Sequence, residues 1–118
     1  MSAQTKFYTF CQNNSGGSFD ESAEVGKYVI VEAVDALHAN ARAELLGIYF
    51  DGCSTGHDCS CCGDRWYRAD ERDGFDQPII YGEPAETYKP EGLAKIMGTA
   101  SIRIYRMDNS IQQIEASP

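Results

Sequence analysis

The sequence predicts an α+β fold, a mostly antiparallel sheet with one main helix packed on one face. Two observations lead to this prediction. At least four segments are rich in aromatic and β-branched residues and end at turn-forming residues, which is typical of strands. One segment, 36–46, carries the end signals and the apolar spacing of a helix. Since 118 residues make one domain's worth of chain, we expect a single compact unit over 1–118.

The first two strands are predicted at 6–10 and 27–32. Their sequences are Lys-Phe-Tyr-Thr-Phe and Lys-Tyr-Val-Ile-Val-Glu. Such bulky aromatic and β-branched side chains pack well on a pleated surface. Between them, residues 12–18 are rich in Asn, Ser and Gly, which favour turns, so we expect a loop there.

The helix over 36–46 has a signal at each end. Asp35 can cap its N-terminus, and Gly47 stands just past its C-terminus, where a left-handed residue is favoured. Apolar residues recur every fourth position and form one stripe: Leu37, Ala41 and Leu45. A second set of small residues would allow close approach to a sheet: Ala36, Ala39 and Ala43.

The second half of the chain predicts shorter strands and a hairpin. Short strands are expected at 48–50, 65–68 and 78–82, with a charged surface loop over 69–77 and one helical turn at 93–97. Residues 100–106 alternate, with the two isoleucines on one face and Arg103 and Tyr105 on the other. A turn at 108–110 then leads into a strand over 111–115, which predicts a hairpin.

Charge and hydropathy exclude some classes of function. Eighteen acidic residues against ten basic ones give a net charge of -8, which disfavours a general coat for DNA or RNA. The charge is typical of a soluble acidic protein, and it also suits a protein that occupies a basic groove on a partner. We expect no membrane span and no secretory signal, because no long apolar stretch is present and residues 1–6 are polar.

The five cysteines predict a metal site more than a disulfide framework, because their number is odd and no export signal is visible. Cys59 and Cys62, followed by Gly63, have the spacing of a zinc knuckle. Cys53 and His57 are the nearest residues that would complete a tetrahedral set, so we expect a structural zinc ion within the cysteine-rich loop 52–64. Cys61 could replace one of these two ligands, and Cys11, which is distant in the sequence, could reach the site through the fold. Two alternatives stay open: half-buried thiols without metal, and a redox-active pair at Cys59 and Cys62.

Two further segments have the composition of ligand-binding sites. The run that includes Asn13, Asn14 and Ser15 offers donors for a small polar ligand or a phosphate, or it simply connects two strands. The second segment joins two arginines to an aromatic residue, a set that can pair with phosphates and stack on a base: Arg65, Trp66 and Arg68. Trp66 is equally well explained as a large core residue.

No catalytic signature is present, so the sequence predicts binding rather than catalysis.

Three stretches of the sequence resemble a known family: QNNSGGSF at 12–19, GIYFDG at 47–52 and DCSCCGDRWY at 58–67. Together they resemble a family of short proteins of tailed bacteriophages that carries no assigned activity. The resemblance implies expression in the cytoplasm of an infected bacterial host, and it transfers no catalytic residues.

Three hypotheses follow from these observations. The first is a phage accessory protein that counteracts a host or anti-phage defence protein by direct binding. The second is a sponge that sequesters a cyclic or adenine-containing nucleotide. The third is a zinc-stabilised structural domain of the phage particle or replication machinery. Short edge strands also make a homodimer a possible assembly.

Overall fold

The computed structural model describes residues 5–12, 27–56, 64, 66–80, 82–87 and 100–116. It has the predicted α+β fold: a mostly antiparallel sheet, one main helix and a small second sheet. In chain order the helices and strands are β1 (Lys6–Cys11), β2 (Tyr28–Ala33), α1 (Ala36–Leu45), α2 (Gly52–Thr55), β3 (Gly74–Phe75), β4 (Ile79–Ile80), β5 (Glu83–Pro84), β6 (Ala100–Tyr105) and β7 (Ile111–Ala116).

The main sheet has five strands in the order β3-β1-β2-β6-β7. β1 pairs antiparallel with β2 on one side and with β3 on the other. β2 and β6 are parallel, so their carboxyl ends lie at the same end of the sheet. β6 and β7 form the predicted antiparallel hairpin, and Asn109 adopts a left-handed φ of 69° in its turn. β4 and β5 form the separate two-stranded sheet.

Both faces of the main sheet are covered, because alternate residues of each strand enter two different clusters. The cluster on the helix side takes its side chains from β1, β2, α1 and the segments that hold Ile48, Phe50 and Trp66. The opposite cluster contains Ile30, Ile102 and Ile104, together with Ile80 of β4. The predicted alternation of β6 is confirmed, because Tyr105 lies on the helix side and the two isoleucines lie on the other.

The predicted end signals of α1 are confirmed. Asp35 accepts a hydrogen bond from the backbone N–H of His38 at 2.8 Å, and Gly47 has a φ of +105° just past the last turn. A carboxylate from another part of the chain adds a second cap, since Glu71 Oε1 accepts from the N–H of Ala36 at 3.0 Å. These bonds satisfy N–H groups that have no partner inside a helix.

The buried face of α1 is the alanine face. Its buried residues are Ala36, Ala39 and Ala43. The predicted close approach of these alanines to the sheet is confirmed, whereas the stripe that contains the leucines faces outward, with Leu37 79% exposed and Leu45 88% exposed. The reason is steric: the sheet surface below the helix is already occupied by large side chains, so only small residues fit between helix and sheet.

Two predicted strands are absent from the described residues. Residues 48–50 and 66–68 have no strand pairing, although Ile48, Phe50 and Trp66 are buried. These three residues pack through their side chains. The strand that pairs with the outer edge of β1 is β3, which forms within the predicted loop 69–77. The short strand predicted at 78–82 is present as β4, whereas the loop at 13–18 and the turn at 93–97 lie outside the described residues.

We expect Ala39→Leu to lower the free energy of unfolding by about 1–3 kcal/mol, because the larger side chain overpacks the helix–sheet contact. Ala41→Leu is the matched control, because Ala41 is exposed on the same helix and the substitution should change stability by no more than about 0.5 kcal/mol. Urea denaturation measures both. Equal stability of the two variants would contradict the packing described here.

Candidate functional site

The residues predicted to bind a ligand are only partly described. Asn13, Asn14, Ser15 and Arg65 lie outside the described residues. Trp66 is 2% exposed and lies in the helix-side core. Its ring therefore presents no accessible face on which a base could stack.

Arg68 is exposed, but it is engaged by two neighbours from the segment that precedes α2. Its Nη2 lies 2.8 Å from Oδ2 of Asp51, and its guanidinium carbon lies 5.0 Å from the centre of the Phe50 ring. Asp51 has a left-handed φ of 59° at the start of α2. Arg68 thus ties the entrance of the cysteine-rich loop to the segment that leaves it.

This ion pair sets the electrostatics of the loop entrance. The hydrogen bond from Arg68 lowers the pKa of Asp51 below its ordinary value. The same bond raises the pKa of Arg68. Both side chains are therefore charged at neutral pH, and each stabilises the charge of the other.

The base of the cysteine-rich loop is closed by a second contact. The backbone N–H of Cys53 donates to Oδ1 of Asp64 at 2.9 Å, which brings together positions eleven residues apart. The other three predicted zinc ligands, His57, Cys59 and Cys62, lie outside the described residues. Within the described ranges, no group of three or more His, Cys, Asp or Glu side chains is placed to hold a metal ion.

Among the described residues, the two most exposed large apolar side chains, Leu37 and Leu45, both lie on α1. We use the term outer face for the helix surface formed by Leu37, Ala41 and Leu45. Near the C-terminal end of the helix, this face adjoins a cavity of about 340 Å³. Six residues line the cavity: Arg42, Leu45, Leu46, Tyr105, Asn109 and Ile111.

Arg42 fixes the position of that cavity. Its Nη1 donates to the carbonyl of Glu32 at 2.7 Å, and its Nη2 donates to the carbonyl of Arg106 at 3.1 Å. These carbonyls lie at the carboxyl ends of the parallel strands β2 and β6. The guanidinium therefore ties the helix to the β6–β7 hairpin and holds the cavity walls in place.

Sequence reasoning found the apolar stripe on α1 but missed the cavity. Arg42 and Ile111 carry no motif, and only the fold brings them together. The sequence did carry one signal for an exposed apolar surface, namely two apolar stripes on one short helix. A helix of this length can bury only one stripe against a single sheet, so the other stripe must be exposed.

The comparison with protein families assigns the chain to one of them. A family model described as a domain of unknown function (DUF7296) matches residues 5–117. The chain belongs to this family. The match spans every described strand and helix, so the family model covers the whole fold. No curated protein and no solved structure matches the chain.

Among the described residues, no helix has both the length and the apolar character needed to cross a membrane.

We expect the pKa of Asp51 to return toward its ordinary value in Arg68→Gln, because the variant removes the hydrogen bond that lowers it. The pKa of Asp51 is lower in the folded protein than in the unfolded chain. Ionised Asp51 therefore stabilises the fold at pH values above the unfolded-state pKa, and this stabilisation is lost as the pH falls through the folded-state pKa. NMR titration of the side-chain carboxyl measures the shift.

Asp108 provides the internal control for this titration. Its pKa is also lowered, but by hydrogen bonds from Ser110, so it should stay low in the Arg68→Gln protein. An unchanged pKa of Asp51 in the variant would contradict the assigned cause.

Proposed function

We propose that the chain is a non-enzymatic phage accessory protein that counteracts a host or anti-phage defence protein by direct binding in the infected bacterial cytoplasm. The observation that supports binding to a protein is the exposure of Leu37 and Leu45 on the outer face of α1. The phage context rests on the resemblance of the three sequence stretches. The family model itself brings no activity with it.

The outer face is well suited to a protein partner. The helix already packs through its alanine face, so the two leucines contribute little to the core. Burial of an exposed leucine side chain stabilises a contact by about 1.5–3 kcal/mol. An amphipathic helix with a second apolar face can therefore gain free energy by docking against an apolar groove of a partner.

We expect the double variant Leu37→Ser and Leu45→Ser to lose a partner that the wild-type chain captures from a lysate of the bacterial host. Removal of two central apolar contacts should weaken the complex by about tenfold or more. Affinity capture followed by quantitative mass spectrometry measures the change.

Phe75→Ser is the matched control for this experiment. Phe75 is 43% exposed on β3, at the opposite edge of the sheet from β7, so its removal takes away an apolar side chain without touching α1. Equal capture by the double variant and the wild type would contradict the proposal. Turnover of a substrate by the purified chain, abolished by one substitution, would also contradict it.

We also propose that Cys53, His57, Cys59 and Cys62 bind a structural zinc ion. The closed base of the loop supports this proposal, because the contact between Cys53 and Asp64 already limits the span over which the other ligands must close. Four protein ligands would fill a tetrahedral zinc site, which suits a structural role.

We expect the native protein to contain about one zinc ion per chain, and the Cys59→Ser and Cys62→Ser double variant to contain none. Elemental mass spectrometry of protein purified without chelators measures the content. Cys11→Ser is the control and should keep the metal, because Cys11 packs against the core on the other face of the sheet. Metal-free wild-type protein would contradict the zinc site.

The two other hypotheses stay predictions. A nucleotide sponge would depend on arginines and aromatic residues, and of these Trp66 is buried and Arg68 is engaged by Asp51. A structural role in the particle or in replication has no described feature that favours it over binding by α1.

A further inference from the structure

Among the described strands, the two edges of the main sheet differ in length. β3 forms one edge and is only two residues long, whereas β7 forms the other and is six residues long. Edge strands are commonly blocked by Pro, by Lys, by a bulge or by short length. β7 has the sequence Ile-Gln-Gln-Ile-Glu-Ala, with neither Pro nor Lys, and its register with β6 is continuous from Ile111 to Ala116.

An open edge is a template for another strand. In the part of the chain that the structure describes, no strand pairs with the outer side of β7. Main-chain N–H and C=O groups along such an edge accept an extended chain by the same hydrogen bonds that join the sheet.

The cavity lies directly beside this edge. Ile111, the first residue of β7, is 56% exposed and lines the cavity together with Leu45 of α1. Ile111 pairs with Tyr105, so both side chains lie on the helix side of the sheet. We use the term β7 groove for the space between α1 and β7 that contains this cavity.

The cavity is open to solvent, because its lining residues Leu45 and Ile111 are 88% and 56% exposed, and its volume is sufficient for one side chain of an added strand. Side chains of a strand alternate between the two faces of the sheet, so every second side chain of a strand beside β7 would face the helix. The volume of about 340 Å³ is at the lower end of ligand cavities. The walls are mainly apolar, which favours a large apolar side chain as the anchor.

The net charge of the chain, rather than the charge at the cavity, selects among possible occupants. Arg42 is the only charged residue among the six that line the cavity, and its guanidinium is already bound by the carbonyls of Glu32 and Arg106, so the local charge does not select an occupant. The whole chain has a net charge of -8, so a second copy would meet like charge, whereas a segment with Lys or Arg would meet opposite charge.

We propose that the β7 groove binds an extended segment of a protein partner, which adds a strand to β7, places one large apolar side chain in the cavity and has a net positive charge that complements the acidic chain. This inference rests on the proposed function, in which the chain acts by binding a protein. It adds to that function a second contact surface, at β7, and the chemistry of the partner segment.

The test uses the full chain and a displayed library of random peptides of about twelve residues, long enough to cover a six-residue strand. Enriched peptides should contain a large apolar residue, should have a net positive charge and should lack closely spaced Pro. Their binding, measured by fluorescence anisotropy, should weaken about tenfold in Leu45→Ser and in Ile111→Ser. Hydrogen exchange of the β7 amides should slow when a selected peptide binds.

Phe75→Ser is the matched control, because Phe75 is 43% exposed at the opposite edge of the sheet and does not line the cavity. Its affinity for the peptides should stay within about twofold of the wild type. Three results would overturn the proposal: no enriched sequence, enriched peptides that bind both cavity variants as well as wild type, or a stable dimer in which the β7 amides are already protected.

The two proposals fail in different ways. If capture of the partner depends on Leu37 while the library selects nothing for the groove, partner binding by α1 stands and the added strand is wrong. If neither the partner nor a peptide is bound, both proposals are wrong.

Discussion

The close contact between α1 and the sheet is the constraint on which the rest of the structure depends. Only small side chains stand between them, because Ala36, Ala39 and Ala43 face a surface filled by aromatic and branched residues. Close packing leaves little tolerance for a larger group at these positions. With this face fixed against the sheet, the leucines on the other side of the helix must face outward. The outer face of α1 is therefore a consequence of how the core is filled.

The same contact sets the position of the groove. Once α1 lies against the sheet, Arg42 reaches the carbonyls of Glu32 and Arg106 at the carboxyl ends of β2 and β6. Hydrogen bonds from a charged group are stronger than those between neutral groups, so this side chain holds the helix end and the hairpin at a defined separation. The cavity beside β7 thus lies between elements that Arg42 joins, which would lower the ordering cost of binding the proposed extended segment.

The cysteine-rich loop is joined to this framework at its base. Arg68 pairs with Asp51 and covers Phe50, and Asp64 accepts from Cys53. Ion pairs at exposed positions contribute little stability by themselves. Their effect here is geometric, because the two ends of the loop start from fixed positions beside a buried Trp66. A metal ion would then have to order only the residues between them.

The sequence alone determined the local features of this protein. The ends of α1, the strands at the start of the chain and the β6–β7 hairpin follow from caps, turn residues and periodicity, which act over a few residues and can be read directly. The tertiary structure decided which of two apolar stripes is buried, that β2 and β6 run parallel, and that Arg42 and Ile111 share one cavity. Each of these outcomes depends on the volume and direction of residues distant in the chain. A pattern along the sequence carries no information on those quantities, so they had to come from the packed fold.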